Sequence, residues 1–202
     1  ASDDMSGDVK ASVVGESVSL TDTDGSIQVS YAAFDGAGNV TKATREARFA
    51  DFRSPQFDLT RSLTFHGNYT FNIFEIVKAN DVLDGDISYR VRVAFLKEMD
   101  NYTIGITPVE IRVSNSLGET VKLEIPVERY AVGTYEATLT LTDYLVYLPK
   151  GTQLNAENFL DTFTKSDVGV SLRNGLPEGY SLELKSDVNP DVPGVYTVEY
   201  RV

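Results

Sequence analysis

Val29-Ser30-Tyr31-Ala32-Ala33-Phe34-Asp35-Gly36-Ala37-Gly38-Asn39 is the stretch that decides the fold. With Ile27 ahead of it, apolar residues fall on every second position, at Ile27, Val29, Tyr31 and Ala33. A period of two sets one face on a core and the other in water, the pattern of a half-buried β-strand. The strand then runs into Asp35-Gly36-Ala37-Gly38-Asn39, residues that accept tight-turn backbone. The same alternation recurs at Tyr69, Phe71 and Ile73, at Val109, Ile111 and Val113, at Val121, Leu123, Ile125 and Val127, and at Val198, Tyr200 and Val202. Further turns are expected at Asp24-Gly25, His66-Gly67-Asn68, Asp84-Gly85 and Pro193-Gly194. One short helix is predicted from Leu154 to Phe163, where Leu154, Phe159, Leu160 and Phe163 share a face. The fold class is all-β, and stripes of this kind build antiparallel sandwiches.

Outward from this hairpin the chain repeats. Val29, Tyr31, Ala33, Asp35 and Gly38 correspond to Val109, Ile111, Val113, Asn115 and Gly118, 80 residues further on. Ala1-Ser2-Asp3-Asp4-Met5-Ser6-Gly7-Asp8-Val9 aligns with Ala79-Asn80-Asp81-Val82-Leu83-Asp84-Gly85-Asp86-Ile87 at an offset of 78. Gly194-Val195-Tyr196-Thr197-Val198-Glu199-Tyr200 resembles Gly25-Ser26-Ile27-Gln28-Val29-Ser30-Tyr31. A unit of about 70–80 residues means a tandem array. Its phase divides the chain into 1–52, the later strands of a first unit, 53–130, a complete unit, and 131–202, a unit without its final strand. Asp51-Phe52-Arg53-Ser54-Pro55 is the first linker, its proline ending the preceding strand. The open units read as a stretch cut from a longer chain, with strand exchange between neighbouring molecules as the alternative. The polar opening Ala1-Ser2-Asp3-Asp4 fits a mature or excised segment.

Composition narrows the function classes. The 202 residues are 42% hydrophobic, enough for a core, and carry 18 basic against 30 acidic side chains, a net charge of −12. A field of that sign repels phosphate backbones and argues against nucleic acid as a partner. The absence of cysteine removes disulfides, thiolate metal sites and cysteine nucleophiles. There is one histidine and no tryptophan. No apolar run reaches the roughly 18 residues that a membrane-spanning helix needs. The composition reads as soluble, acidic and non-enzymatic.

The closing hairpin, followed by Arg48-Phe49-Ala50-Asp51 and Pro55, resembles bacterial immunoglobulin-like surface repeats of the hyalin type and their relatives. Ala79-Asn80-Asp81-Val82-Leu83-Asp84-Gly85-Asp86-Ile87 is similar to an earlier segment of those repeats. The likeness covers the second unit and most of the first. In the third it thins to Leu148-Pro149-Lys150-Gly151-Thr152 and Pro193-Gly194-Val195-Tyr196-Thr197-Val198. It implies tandem immunoglobulin-like β-sandwich domains in an elongated array, serving as stalk or adhesive module on a secreted or wall-attached protein. Fold alone does not assign that role.

In such a sandwich the loop between the second and third strands lies beside the last hairpin. Asp81, Asp84 and Asp86 would then face Asn115 and Glu119, with linker Asp51 approaching. Oxygen-rich sets of this kind suit calcium, which takes about six to eight oxygen ligands. The competing reading is turn-making, with each Asp accepting backbone N–H groups. The spacing is not that of an EF-hand.

His66 sits in a turn with no Ser or Asp at catalytic spacing, so it reads as a turn residue and not a general base. Paired carboxylates of the glycosidase type would need a cleft that small repeats rarely build. Tyr130, Tyr135, Tyr144 and Tyr147 gather at the second junction, where exposed rings could stack on sugar. The sequons at Asn39, Asn68 and Asn101 are coincidental in a bacterial chain, and Arg61 stands where an isopeptide crosslink would need Lys.

The expected function is a non-catalytic spacer and adhesion segment of an extracellular, surface-attached bacterial protein. It needs no cofactor beyond the calcium just considered. Its partners would be neighbouring domains of a longer chain, without membrane insertion of this segment. The alternative is a module binding carbohydrate or a host surface protein, accessory to a larger extracellular enzyme.

Overall fold

The computed structural model describes residues 2–3, 7–8, 13–20, 25–95 and 103–202, with side chains from residue 25 onward. Most of Ala1–Val9, Asp24 of the Asp24-Gly25 turn, and Asn101 with Tyr102 lie outside the described residues. The described chain is mostly strand, an all-β fold. It divides into two compact units. The first comprises Ala1–Gln56, Asp81–Gly85 and Ser114–Val121, and the second Phe57–Asn80, Asp86–Val113 and Lys122–Val202.

In the first unit, β1 (Ser2–Asp3) and β2 (Gly7–Asp8) form a two-stranded ladder. β3 (Val13–Leu20), β4 (Ser26–Phe34) and β5 (Val40–Arg48) form an antiparallel meander in that order. β4 pairs with β5 without a break from Ser26↔Arg48 to Phe34↔Val40. Between β3 and β4 the register slips at Gly15 and Ser17, opposite Tyr31 and Ser30. Burial along β4 changes phase at the same place. Ile27 is buried, but past the slip it is Ala32, not Tyr31, that turns inward. An extra residue in a partner strand twists the ladder locally, which is why the predicted stripe holds for only half its length.

The second unit contains most of the remaining strands. β6 (Gln56–Leu59), β8 (Val77–Asp81) and β9 (Gly85–Asp86) form one sheet. β7 (Thr64–His66), β10 (Arg92–Phe95), β11 (Gly105–Ser114) and β12 (Thr120–Tyr130) form another, in the order β10-β11-β12-β7. Val109, Ile111, Val113, Ile125 and Val127 are buried, as alternation predicts. Phe57, Phe65, Val77, Ala79 and Ile87 are buried too. Burying a side chain of Val, Ile or Phe size is worth about 1.5–3 kcal/mol, so these residues are a main source of stability here.

Three expectations are corrected. β7 runs parallel to β12 and not antiparallel, with Glu128 opposite Thr64 and Tyr130 opposite His66. Tyr69, Phe71 and Ile73 do not form a strand. Phe71 and Tyr69 stack on the buried Phe65 ring at 4.1 and 5.4 Å, and Ile73–Ile76 make one helical turn, α1. Asn72 starts that turn by accepting the Phe74 N–H at 3.1 Å while its amide donates to Glu75. The helix expected from Leu154 to Phe163 is a short 3₁₀ turn, Ala156–Phe159, running into a strand.

That strand, β14 (Leu160–Lys165), lies between β13 (Ala137–Leu141) and β15 (Val168–Ser171). β14 and β15 are joined by Ser166 and Asp167 alone, both at positive φ (49° and 63°). β16 (Glu183–Ser186) and β17 (Val198–Arg201) close the chain as an antiparallel pair. β17 begins three residues after the position matching Ser26, and the aligned Val198–Tyr200 and Val29–Tyr31 both lie in strands. Phe163 and Leu172 are the buried apolar residues of this region.

Candidate functional site

The hairpin tips come first, because they position the acidic residues. At the β4–β5 tip, Asp35 Oδ1 accepts the N–H groups of Ala37 (2.9 Å) and Asn39 (2.7 Å), and Oδ2 accepts the Asn39 amide (2.6 Å). Gly38, at φ 85°, donates to the Asp35 carbonyl. At the β11–β12 tip, Asn115 Oδ1 accepts from Leu117 (3.1 Å) and Glu119 (2.9 Å), and Gly118, at φ 86°, donates to the Asn115 carbonyl. The same bonds close both turns, with an amide oxygen at 115 doing the work of a carboxylate at 35. Asp35 and Gly38 thus make bonds equivalent to those of Asn115 and Gly118.

Asp81, at the end of β8, is only 6% exposed and Asn115 5%. Asp81 Oδ1 accepts the N–H groups of Leu83 (2.9 Å) and Asp84 (3.0 Å), which shapes the loop that follows. Its Oδ2 receives the Asn115 amide at 3.3 Å. Asp84 accepts the backbone N–H and the hydroxyl of Ser116, each at 2.6 Å. Glu119 accepts from the Asn115 amide at 3.4 Å and from the Ser54 hydroxyl. Asp81, Asp84, Asn115 and Glu119 are thus linked in one network within the first compact unit.

Two members of the proposed metal set take no part in these bonds. Asp51 lies exposed in the turn before Phe52 and makes none of these bonds; Ser54 is the linker residue that does. Asp86 belongs to the second unit, where its Oδ1 accepts both the hydroxyl (2.6 Å) and the N–H (2.9 Å) of Ser88. The Ser88 hydroxyl, then its N–H, holds the Asp86 carboxyl below the usual aspartate range. Among the described residues, no group of three or more His, Asp and Glu side chains is placed to hold a metal ion.

The four tyrosines divide into two pairs. Tyr130 and Tyr135 meet edge to face at 4.7 Å, and Tyr135 is 53% exposed. Tyr144 and Tyr147 instead serve the backbone. The Tyr144 hydroxyl accepts the Leu141 N–H at 3.2 Å, and the Tyr147 hydroxyl accepts the Phe57 N–H at 2.9 Å. Partial burial pushes the Tyr147 phenol above its ordinary pKa.

His66, Arg61 and Arg129, the last not singled out by the sequence, make further ring and backbone contacts. His66 contacts the rings of Tyr69 (5.5 Å) and Tyr130 (6.5 Å), and its Nδ1 is buried without a partner. Arg129 is 3% exposed; its Nη1 donates to the carbonyls of Gly67 (3.2 Å) and Tyr69 (3.1 Å), and its guanidinium lies over Phe71. Arg61 lies over Phe65 and Tyr69 and donates to the Tyr69 hydroxyl. Arg129 therefore stitches the His66–Tyr69 turn to β12.

No helix among the described residues is long and apolar enough to cross a membrane. No protein-family model matches the sequence, and no curated protein matches it.

Proposed function

We propose that this chain is a non-catalytic spacer and adhesion segment of a secreted, surface-attached bacterial protein. Its units would be tandem immunoglobulin-like β-sandwiches spanning 1–52, 53–130 and 131–202, drawn out in line. One observation carries this reading: most of the candidate metal and sugar-stacking side chains are committed to hydrogen bonds that hold the chain in place. Asp81, Asp84 and Asn115 accept backbone N–H groups, Glu119 grips linker residue Ser54, and Tyr147 anchors the start of β6. Side-chain oxygens that accept N–H and O–H groups from their own turns and from neighbouring loops shape the chain around them, which suits stiffening. Small-angle scattering of the monomer tests the drawn-out arrangement.

A second reading is favoured by the Tyr130–Tyr135 pair, whose outer ring is half exposed. It would make the segment a carbohydrate- or host-protein-binding module. Glycan-array binding lost on Tyr135→Ala, and kept on Tyr144→Ala, would establish it. Calcium at Asp51, Asp81, Asp84, Asp86, Asn115 and Glu119 is a separate proposal. A bound ion would raise the unfolding temperature in millimolar calcium over chelator, and Asp84→Asn would abolish the rise. Equal melting returns these residues to turn-making.

A further inference from the structure

The two edges of the β3-β4-β5 sheet are built differently. β3 carries a register slip at Gly15–Ser17, a break of the kind that twists an edge away from new partners. β5 has none. Its nine residues pair with β4 without interruption, all nine are exposed, and β4 is its single strand neighbour among the described residues. An unbroken exposed edge is a template for strand addition unless its charges forbid it.

The charges of β5 select a partner. The strand reads Val40-Thr41-Lys42-Ala43-Thr44-Arg45-Glu46-Ala47-Arg48. Facing residues in an antiparallel pair turn N–H and C=O the same way, both toward the shared edge or both away from it, and these groups alternate in direction along a strand. Two copies of one strand can therefore meet only in registers centred on a residue. Centring on Arg45 sets Arg45 against itself and Lys42 against Arg48. Centring on Ala43 leaves the last two residues unpaired and makes no ion pair. Centring on Thr44 pairs all nine residues, sets Thr44 against Thr44, and places Lys42 of each copy opposite Glu46 of the other. Only small side chains, Ala43 and Ala47, face Arg45 and Thr41.

We propose that β5 is a self-complementary docking edge, through which two copies of this chain pair antiparallel about Thr44. The twofold axis makes the Lys42–Glu46 pair occur twice, and the two three-stranded sheets become one of six. In a surface-attached protein this would join neighbouring molecules side by side.

Sedimentation velocity of the 202-residue chain, from micromolar to millimolar concentration, tests the proposal. The wild type should show a concentration-dependent dimer. Lys42→Glu and Glu46→Lys should each weaken it about tenfold, because each turns two attractive cross-strand pairs repulsive. The double exchange Lys42→Glu/Glu46→Lys should restore it. Thr44→Lys, which sets two ammonium groups together on the axis, should abolish it, with circular dichroism confirming that each variant is folded. A wild type that stays monomeric throughout, or a dimer indifferent to the single reversals, overturns the proposal.

Discussion

The amide of Asn115 donates to the carboxylate of Asp81 across 3.3 Å, and both side chains are buried from water. Asn115 thus does two things at once. Its oxygen closes the β11–β12 turn, and its nitrogen, which also reaches Glu119, separates two carboxylates. At the matching β4–β5 turn an exposed aspartate suffices, because Asp35 faces the Asn39 amide and not another acid.

Asn115→Asp should therefore be costly although Asp35 performs the same turn-making. It sets a third carboxylate against Asp81 and Glu119, and the loss of a buried hydrogen bond to a charged group is worth about 1.5–3 kcal/mol. Like charges raise the pKa of the introduced acid, so the deficit should shrink as pH falls. Urea unfolding of the variant at neutral and acid pH measures both effects.

Acid should act oppositely on the β4–β5 turn. The Asn39 side chain and backbone, in that order, hold the Asp35 carboxyl below the ordinary aspartate value. A folded pKa below the unfolded one gives stability that is present above the unfolded value and lost as pH falls through the folded one. The Ala37 and Asn39 amides should lose exchange protection only below the usual aspartate range. The Leu117 and Glu119 amides, held by the neutral Asn115 oxygen, should keep theirs. Amide exchange followed by NMR distinguishes the two turns.

Gly25 stands at φ 84°, and a Cβ added there would run into the Phe52 side chain. Gly25→Ala should destabilise by more than the 1–2 kcal/mol of left-handed backbone alone. In a Phe52→Ala background the same change should cost only about that backbone share. A double-mutant cycle in urea gives the difference directly.

The β14–β15 connection is suboptimal. Ser166 and Asp167 both sit at positive φ, where two-residue hairpins prefer Asn-Gly. Ser166→Asn with Asp167→Gly should stabilise the second unit by about 1 kcal/mol. Denaturant unfolding checks the sign.

This hairpin also shows where sequence reading stops. Asp35-x-x-Gly38-Asn39 and Asn115-x-x-Gly118-Glu119 were legible because an acceptor and a glycine stand at the spacing the turn requires. Ser166-Asp167 offers no glycine to mark a turn, and the start of the strand before it, Leu160 to Phe163, reads in sequence as part of a helix. Tyr69, Phe71 and Ile73 alternate like a strand, yet Asn72 capping a single turn and ring stacking on Phe65 override that pattern. The network of Asp81, Asp84, Asn115 and Glu119 was readable as a cluster. Its partners Ser54 and Ser116 were not, since nothing local marks a serine that meets a residue 65 or 32 positions away. Nor could spacing show that Tyr144 and Tyr147 serve backbone N–H groups, because which N–H lacks a strand partner depends on the whole topology.

Small-angle scattering tests the central claim most directly, at concentrations dilute enough to keep the chain monomeric. A 202-residue chain folded around one shared core would have a radius of gyration of about 17 Å. A tandem spacer should give a clearly larger radius and a distance distribution with a long tail. A monomer with a radius near 17 Å and a symmetric distribution would contradict the account.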